Sequence, residues 1–222
     1  IDRDAMSVSG SIKFDIDLMA LKNFTENEVN YYKEKYLFVC GSTHPGEEEI
    51  LIDSFIDLNK DNKHLVLAPR HPERFGEIKE LVNKKNLSNI LYTEISSNPD
   101  IKSDVTIVDV IGRLLDFYEI ADCVFIGGTL VDHGGQNFLE PAFFNKPIIS
   151  GRSTYNFDEI SKKLSDLGLL KFVSNKDEIS SAVESIEAIS DSLKKNTNLW
   201  LNENRGASKF ISKKVCKEFN LI

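Results

Sequence analysis

Seven short apolar runs, separated by helical patterns, constrain this chain more than any other feature. Tyr36–Gly41, His64–Pro69, Asn89–Thr93, Val105–Asp109, Cys123–Ile126, Pro147–Gly151 and Leu170–Val173 are rich in β-branched and aromatic residues. Most are apolar throughout rather than alternating, the mark of strands buried on both faces. Helical periods fall between them, over Glu47–Asn59, Pro72–Lys85, Leu114–Ala121 and Phe157–Leu167. Strand–helix alternation of this kind predicts an α/β fold, a Rossmann-like parallel sheet with helices on both faces. Three regions are expected: 1–30, a connector with a leading helix at Thr25–Lys35; 31–175, the Rossmann-like domain; and 176–222, C-terminal helices broken near Asn202–Gly206. Thr25 and Glu28 have capping-box spacing. Lys60–Lys63 and Ser96–Ser103 read as surface loops.

In such a sheet the loops after the strands gather at one edge, where ligands bind. The richest is the stretch from Phe125-Ile126-Gly127-Gly128-Thr129 to Gly134-Gly135-Gln136-Asn137-Phe138-Leu139-Glu140-Pro141. Adjacent glycines bend the chain and leave N–H groups uncovered, and Asn137 can cap the following helix. That chemistry suits an anion, most often a phosphate. Asn137 and Glu140 also have N-cap and N3 spacing, so a capping box accounts for both without a ligand. The loop 41–47 supplies Ser42, Thr43 and His44, which either donate to a phosphate or close a turn. Its acids Glu47, Glu48 and Glu49 suit a helix N-terminus and read as structural. The loop 69–74 supplies Arg70, His71 and Arg74, with Pro69 and Pro72 stiffening it. Stiffened arginines make a phosphate or carboxylate clamp; surface pairing with Glu73 or Glu77 is the plainer reading. The turn 109–113, with Gly112, can bracket a flat base or simply connect strand to helix. Asp132 and His133 fall where a bound sugar would lie.

The rest narrows the class. A formal charge of −8 disfavours broad nucleic-acid binding. Cys40, Cys123 and Cys216 are dispersed, as buried or free thiols of a reducing compartment would be. No apolar run approaches the ~20 residues of a membrane helix. The chain opens on Ile1, which suggests a fragment. Neither a G-x-G-x-x-G fingerprint nor a P-loop follows the first strand, and no metal-ligand cluster is evident. Asp15-Ile16-Asp17 matches a D-x-D metal signature, although two acids on a polar connector are usually solvated. No cofactor is expected.

Four ordered motifs carry a family resemblance: Gly-Ser-Thr-His-x-Gly-Glu-Glu at 41–48, Pro-Arg-His-Pro-Glu-Arg at 69–74, Phe-Ile-Gly-Gly-Thr at 125–129 and Gly-Gly-Gln-Asn-x-x-Glu-Pro-Ala at 134–142. With Gly10–Asp15 and Gly151–Ile160, they resemble the C-terminal half of 3-deoxy-D-manno-octulosonic acid (Kdo) transferases. The resemblance implies the donor-binding half of a GT-B glycosyltransferase, using CMP-Kdo as donor and a lipid A precursor as acceptor at the cytoplasmic face of the bacterial inner membrane. It implies that Glu140 holds the ribose, that Gly127, Gly128, Thr129, Gly135, Gln136 and Asn137 serve phosphate and sugar, and that Arg70 and its neighbours lie near the nucleotide. The membrane anchor and acidic general base of the family lie in the N-terminal half, so this stretch alone is expected to be soluble and inactive. The family usually has Asn at Ser11, His at Gln136 and a Thr-x-Gly-Glu pattern at Val110–Arg113. Alternatives are another GT-B nucleotide-sugar enzyme, either a UDP-sugar transferase or a non-hydrolysing epimerase, or a non-enzymatic nucleotide-binding module.

Overall fold

The computed structural model describes residues 6–16, 21, 23–98, 100–186 and 188–219. Its elements run α1 (Glu26–Tyr32), β1 (Tyr36–Thr43), α2 (Glu47–Asp57), β2 (Lys63–Pro69), α3 (Phe75–Lys84), β3 (Asn89–Leu91), α4 (Tyr92–Ile95), β4 (Val105–Ile107), α5 (Leu114–Ile120), β5 (Cys123–Ile126), α6 (Leu139–Phe143), β6 (Ile148–Ser150), α7 (Asp158–Leu167), β7 (Leu170–Phe172), α8 (Lys176–Glu184), α9 (Asp191–Glu203) and α10 (Ala207–Glu218). All seven strands form one parallel sheet in the order β3-β4-β2-β1-β5-β6-β7.

Side chains alternate across the pleat and build a core on each face. Val39, Val66, Val124 and Ile126 face one side, with Phe117 of α5, Leu139 of α6, Leu164 of α7 and Leu201 of α9. Phe38, Cys40, Leu65, Leu67 and Phe125 face the other, with Leu51 and Phe55 of α2, Ile78 of α3 and Ile179 of α8. Cys40 and Cys123 are buried free thiols. No described helix is long and apolar enough to cross a membrane.

The expected Pro72–Lys85 helix divides. Pro72–Arg74 is a 3-10 turn, and the α-helix begins at Phe75. β3 stops at Leu91, because Tyr92 opens α4 and Glu94 accepts the Leu91 N–H. β4 stops at Ile107, and Asp109 turns aside to accept from the Thr93 N–H and hydroxyl. The Thr25–Glu28 capping box is present.

Asp15 is a helix cap. Its two carboxylate oxygens accept from the backbone N–H groups of Gly206 and Ser208, each at 2.6 Å, fastening the connector to the start of α10. Those bonds hold its pKa below the ordinary carboxylate value. Its partner in the D-x-D reading, Asp17, lies outside the described residues, and no group of three potential metal ligands occurs among those described.

His64 on β2 is buried against the Tyr31 and Tyr32 rings and bonds Ser103 O (3.0 Å) and Thr106 Oγ1 (2.8 Å). Burial, and next the Lys35 charge, pull its pKa from 6.5 down to about 3. A base depressed on folding stabilises the fold above its unfolded pKa. That contribution fades as pH falls from 6.5 toward 3, because only the unfolded chain takes up the proton. The loss by pH 5 should reach about 2 kcal/mol. Urea unfolding at pH 7.5 and 5.0 should show the acid loss shrinking by that amount in His64→Gln; equal losses in the two proteins would refute the assignment.

Candidate functional site

The carboxyl edge of the sheet opens into a cleft of about 470 Å³. Its polar residues are Ser42 after β1, Arg70 after β2, and Gln136, Asn137 and Glu140 around the start of α6. Ala68, Val108, Val110, Leu114, Leu115 and Tyr118 make an apolar wall, with Ile111 and Gly112 at the turn into α5. Six of the residues expected to bind a ligand therefore share one cavity: Ser42, Arg70, Gly112, Gln136, Asn137 and Glu140.

The backbone at the base of this cleft is held by close approaches. A Cβ on Gly41 would stand 2.0 Å from the buried Tyr118 hydroxyl. A Cβ on Gly127 would stand 2.2 Å from the Ser42 carbonyl oxygen, where Ser42 adopts a left-handed conformation (φ 54°). Gly41 thus makes room for the Tyr118 side chain of α5 against β1, and Gly127 lets the ends of β1 and β5 pack without a side chain between them.

The Gly127-Gly128-Thr129 turn is not an open anion cradle. The Gly127 N–H donates to Gly41 O at 2.8 Å. Glu47, wholly buried at the start of α2, accepts from the N–H groups of Gly128 (2.7 Å), Thr129 (3.0 Å) and Leu130 (3.0 Å), and from His44 N–H (2.9 Å). A protein carboxylate occupies the position expected for a phosphate. The Thr129 hydroxyl donates to Ile126 O and accepts from Gly151 N–H, so it too is spoken for. Gly135 N–H donates to Gly128 O, closing the loop on itself. These four residues shape the edge of the sheet, and the donors expected of them face inward.

Arg74 is likewise committed. It donates to Glu48 at 2.8 Å and to Glu77 at 3.2 Å, and Glu48, almost fully buried, also accepts from the Thr43 hydroxyl at 3.0 Å. The Arg74–Glu77 pairing agrees with the plainer reading of the loop. Thr43 serves this buried network and does not line the cleft. His71 is exposed, 3.6 Å from Glu73. Arg70 differs: its backbone N–H donates to Thr43 O at 3.0 Å, but its side chain is exposed at the cleft and makes no hydrogen bond or ion pair with a described residue.

Asn137 and Glu140 do not form the backbone box their spacing suggests, because α6 begins at Leu139. The Asn137 side-chain oxygen accepts the Leu139 N–H at 3.0 Å, and its amide donates to Glu140 at 2.9 Å. That bond orients the carboxylate at the cleft. Burial raises the Glu140 pKa, and the Asn137 bond offsets part of the effect.

Arg113 points away from the cleft. It pairs with Asp116 (3.1 Å) and Glu28 (3.7 Å), donates to Asn23 O, and lies over the Phe24 and Tyr92 rings. It pins α1 to the domain. Burial alone would raise the Glu28 pKa, but bonds from Tyr92 and Thr25, with the Arg113 charge, hold it below the ordinary value.

His44 stacks on His133, ring centroids 4.4 Å apart and 27° from parallel. Burial lowers the His44 pKa. The apolar wall and the buried role of Glu47 were absent from the sequence-based site. Glu47 carries one local signal, its i+3 bond to His44 N–H. Its other partners lie more than 80 residues away.

No protein-family model matches the chain. The bifunctional glycosyltransferase/methyltransferase of Fusobacterium nucleatum is 35% identical over 217 residues, which cover 96% of this chain and 33% of that protein. The 3-deoxy-D-manno-octulosonic acid transferase of Haemophilus influenzae is 33% identical over 213 residues, covering 92% of this chain and 50% of that protein. The chain thus spans half or less of the length of these relatives. Among solved structures, the C-terminal CMP-Kdo binding domain of WaaA from Acinetobacter baumannii superposes with a TM-score of 0.62 at 24% identity, over 83% of this chain and 93% of that one. The S. aureus MnaA-UDP co-structure superposes at 0.58 and 16% identity, over 99% of this chain and 56% of that one. The shared fold is one half of the GT-B architecture.

Proposed function

We propose that this chain, which belongs with the Kdo transferases by sequence and matches the C-terminal domain of one by fold, is the donor-binding part of a glycosyltransferase that takes Kdo from CMP-Kdo. The observation that carries the nucleotide reading is Arg70, an unpaired guanidinium at a cleft that also holds an oriented carboxylate and an apolar wall. Those three features match the three parts of a nucleotide. The wall of Val108, Val110, Leu114 and Leu115 covers one face of a base. Glu140, aimed by Asn137, accepts from ribose hydroxyls, and Arg70 meets the phosphate. Ser42 and Gln136 add neutral hydrogen-bonding groups.

The chemistry this arrangement performs is leaving-group stabilisation. When the sugar–phosphate bond breaks, negative charge grows on the departing CMP. A guanidinium placed at the phosphate offsets that charge as it grows. Glu140 is committed to Asn137 and the ribose, so the group that deprotonates the acceptor belongs to another part of the protein. The acceptor is a lipid A precursor, and membrane association, at the cytoplasmic face of the inner membrane, is a property of that other part.

Calorimetric titration tests the nucleotide. CMP should bind this chain saturably and more tightly than UMP. Tighter binding of UMP would favour a UDP-sugar enzyme, the reading suggested by the likeness to the S. aureus MnaA-UDP co-structure. No binding of either would refute the cleft as a nucleotide site.

A further inference from the structure

Tyr118 brings a buried phenol to the cleft. Its helix, α5, packs against both β1 and α6, and the side chain is only 2% exposed. The ring joins the apolar wall, while the hydroxyl ends beside Gly41, near the carboxyl end of β1. A Cβ on residue 41 would meet the hydroxyl oxygen at 2.0 Å and the ring carbon that bears it at 2.8 Å. Glycine at 41 is what admits the phenol to this position.

That hydroxyl bonds no described residue. Buried tyrosine hydroxyls ordinarily find a partner. Tyr31 meets Ser103 at 2.6 Å, and Tyr32 meets Thr106 at 3.3 Å. The Tyr36 hydroxyl has none, but it is sealed from solvent, whereas Tyr118 lines the cleft and its hydroxyl is not sealed. An unmet donor that opens on a ligand cleft has its partner in the ligand.

The same cleft holds Glu140. One of its carboxylate oxygens accepts the Asn137 amide at 2.9 Å, and the other accepts from no described residue. Phenol and carboxylate do not bond each other, yet they are near enough that the Glu140 charge, second to burial, pushes the Tyr118 pKa up. The phenol thus keeps its proton and remains a donor. Whatever fits between the two must accept from the phenol and donate to the carboxylate. A phosphate oxygen or a base carbonyl accepts but does not donate, and an exocyclic amine donates but accepts poorly. A sugar hydroxyl does both.

We propose that Tyr118 and Glu140 hold one ribose hydroxyl between them, the phenol donating and the carboxylate accepting, and so select a ribonucleotide over a deoxyribonucleotide. The proposal rests on the nucleotide reading above. The experiment is titration of CMP, 2′-deoxy-CMP and 3′-deoxy-CMP into the wild-type chain and into Tyr118→Phe, with melting curves for both. The variant should melt as the wild type does, since the hydroxyl it loses makes no bond in the fold. It should lose about fivefold in CMP affinity, the scale of one neutral hydrogen bond. For the analogue that lacks the bridged hydroxyl, wild type and variant should bind alike, and more weakly than the wild type binds CMP. Unchanged CMP affinity in the variant overturns the proposal. So does an equal loss for all three nucleotides, which would place the phenol against another part of the ligand. A clearly lowered melting temperature would assign the hydroxyl to the fold and overturn it as well. A wild type that binds no CMP overturns the nucleotide reading itself.

Discussion

Glu47→Ala should lose about 3–5 kcal/mol of stability, a large share of the 5–15 kcal/mol typical of a domain. The side chain is wholly buried and accepts four backbone N–H groups, three from the turn after β5 and one from His44. Alanine leaves all four without an acceptor. An unsatisfied buried donor costs about 1–3 kcal/mol, and local relaxation recovers part of the sum. Glu47→Gln should also be damaging, by about 2 kcal/mol, since one carboxylate oxygen becomes an amide that faces N–H groups with more N–H. Urea denaturation of the three proteins measures this. An alanine variant within 1 kcal/mol of wild type, on the scale of one ordinary hydrogen bond, would mean that water or another group replaces the carboxylate.

Arg70→Ala should leave stability nearly unchanged and reduce sugar transfer by the intact protein about 10²–10³-fold, the cost of removing one preorganised stabiliser of transition-state charge. Its side chain is exposed and pairs with no described residue, so no hydrogen bond or ion pair among them is lost. Arg70→Lys should retain part of the rate, since it keeps the charge and loses the fork. Arg74→Ala provides the contrast. It removes the charged partner of the buried Glu48 carboxylate and leaves only the Thr43 hydroxyl, so its effect should appear first in the melting temperature. Turnover near wild type in Arg70→Ala would show that the phosphate is met by another group. Equal melting losses in the two variants would remove the distinction drawn between these arginines.

That distinction marks the limit of what the sequence conveys. Pro69–Arg74 reads as a stiff basic loop, and it is one, but nothing in its order says that Arg70 faces the cleft while Arg74 turns to Glu48. The parallel sheet was legible because each strand is a short apolar run, and the carboxyl edge followed from topology. Boundaries were less legible. Tyr92 and Asp109 continue apolar runs, yet Glu94 and Thr93 supply side-chain and backbone bonds that end the strands. The Gly127-Gly128 pair announced a turn with N–H groups to satisfy. What satisfies them, Glu47, lies 81 residues from Gly128. Read in its own segment, the same acid was a helix N-terminal charge. Arg113, in a turn that reads as able to bracket a base, is instead held by Glu28 and Asp116 and does not line the cleft. In each case the polar partner was set by the fold.

The Glu47 contact also has a consequence for how the chain reaches its native state. Neither half of it is useful alone. Until β1 and β5 align, the carboxylate is better left hydrated and the glycine turn has no template. Closing a loop of that length must precede any gain from the contact. The turn after β5 therefore depends on the β1–α2 unit for its shape: without the Glu47 carboxylate, its N–H groups have no protein acceptor among the described residues.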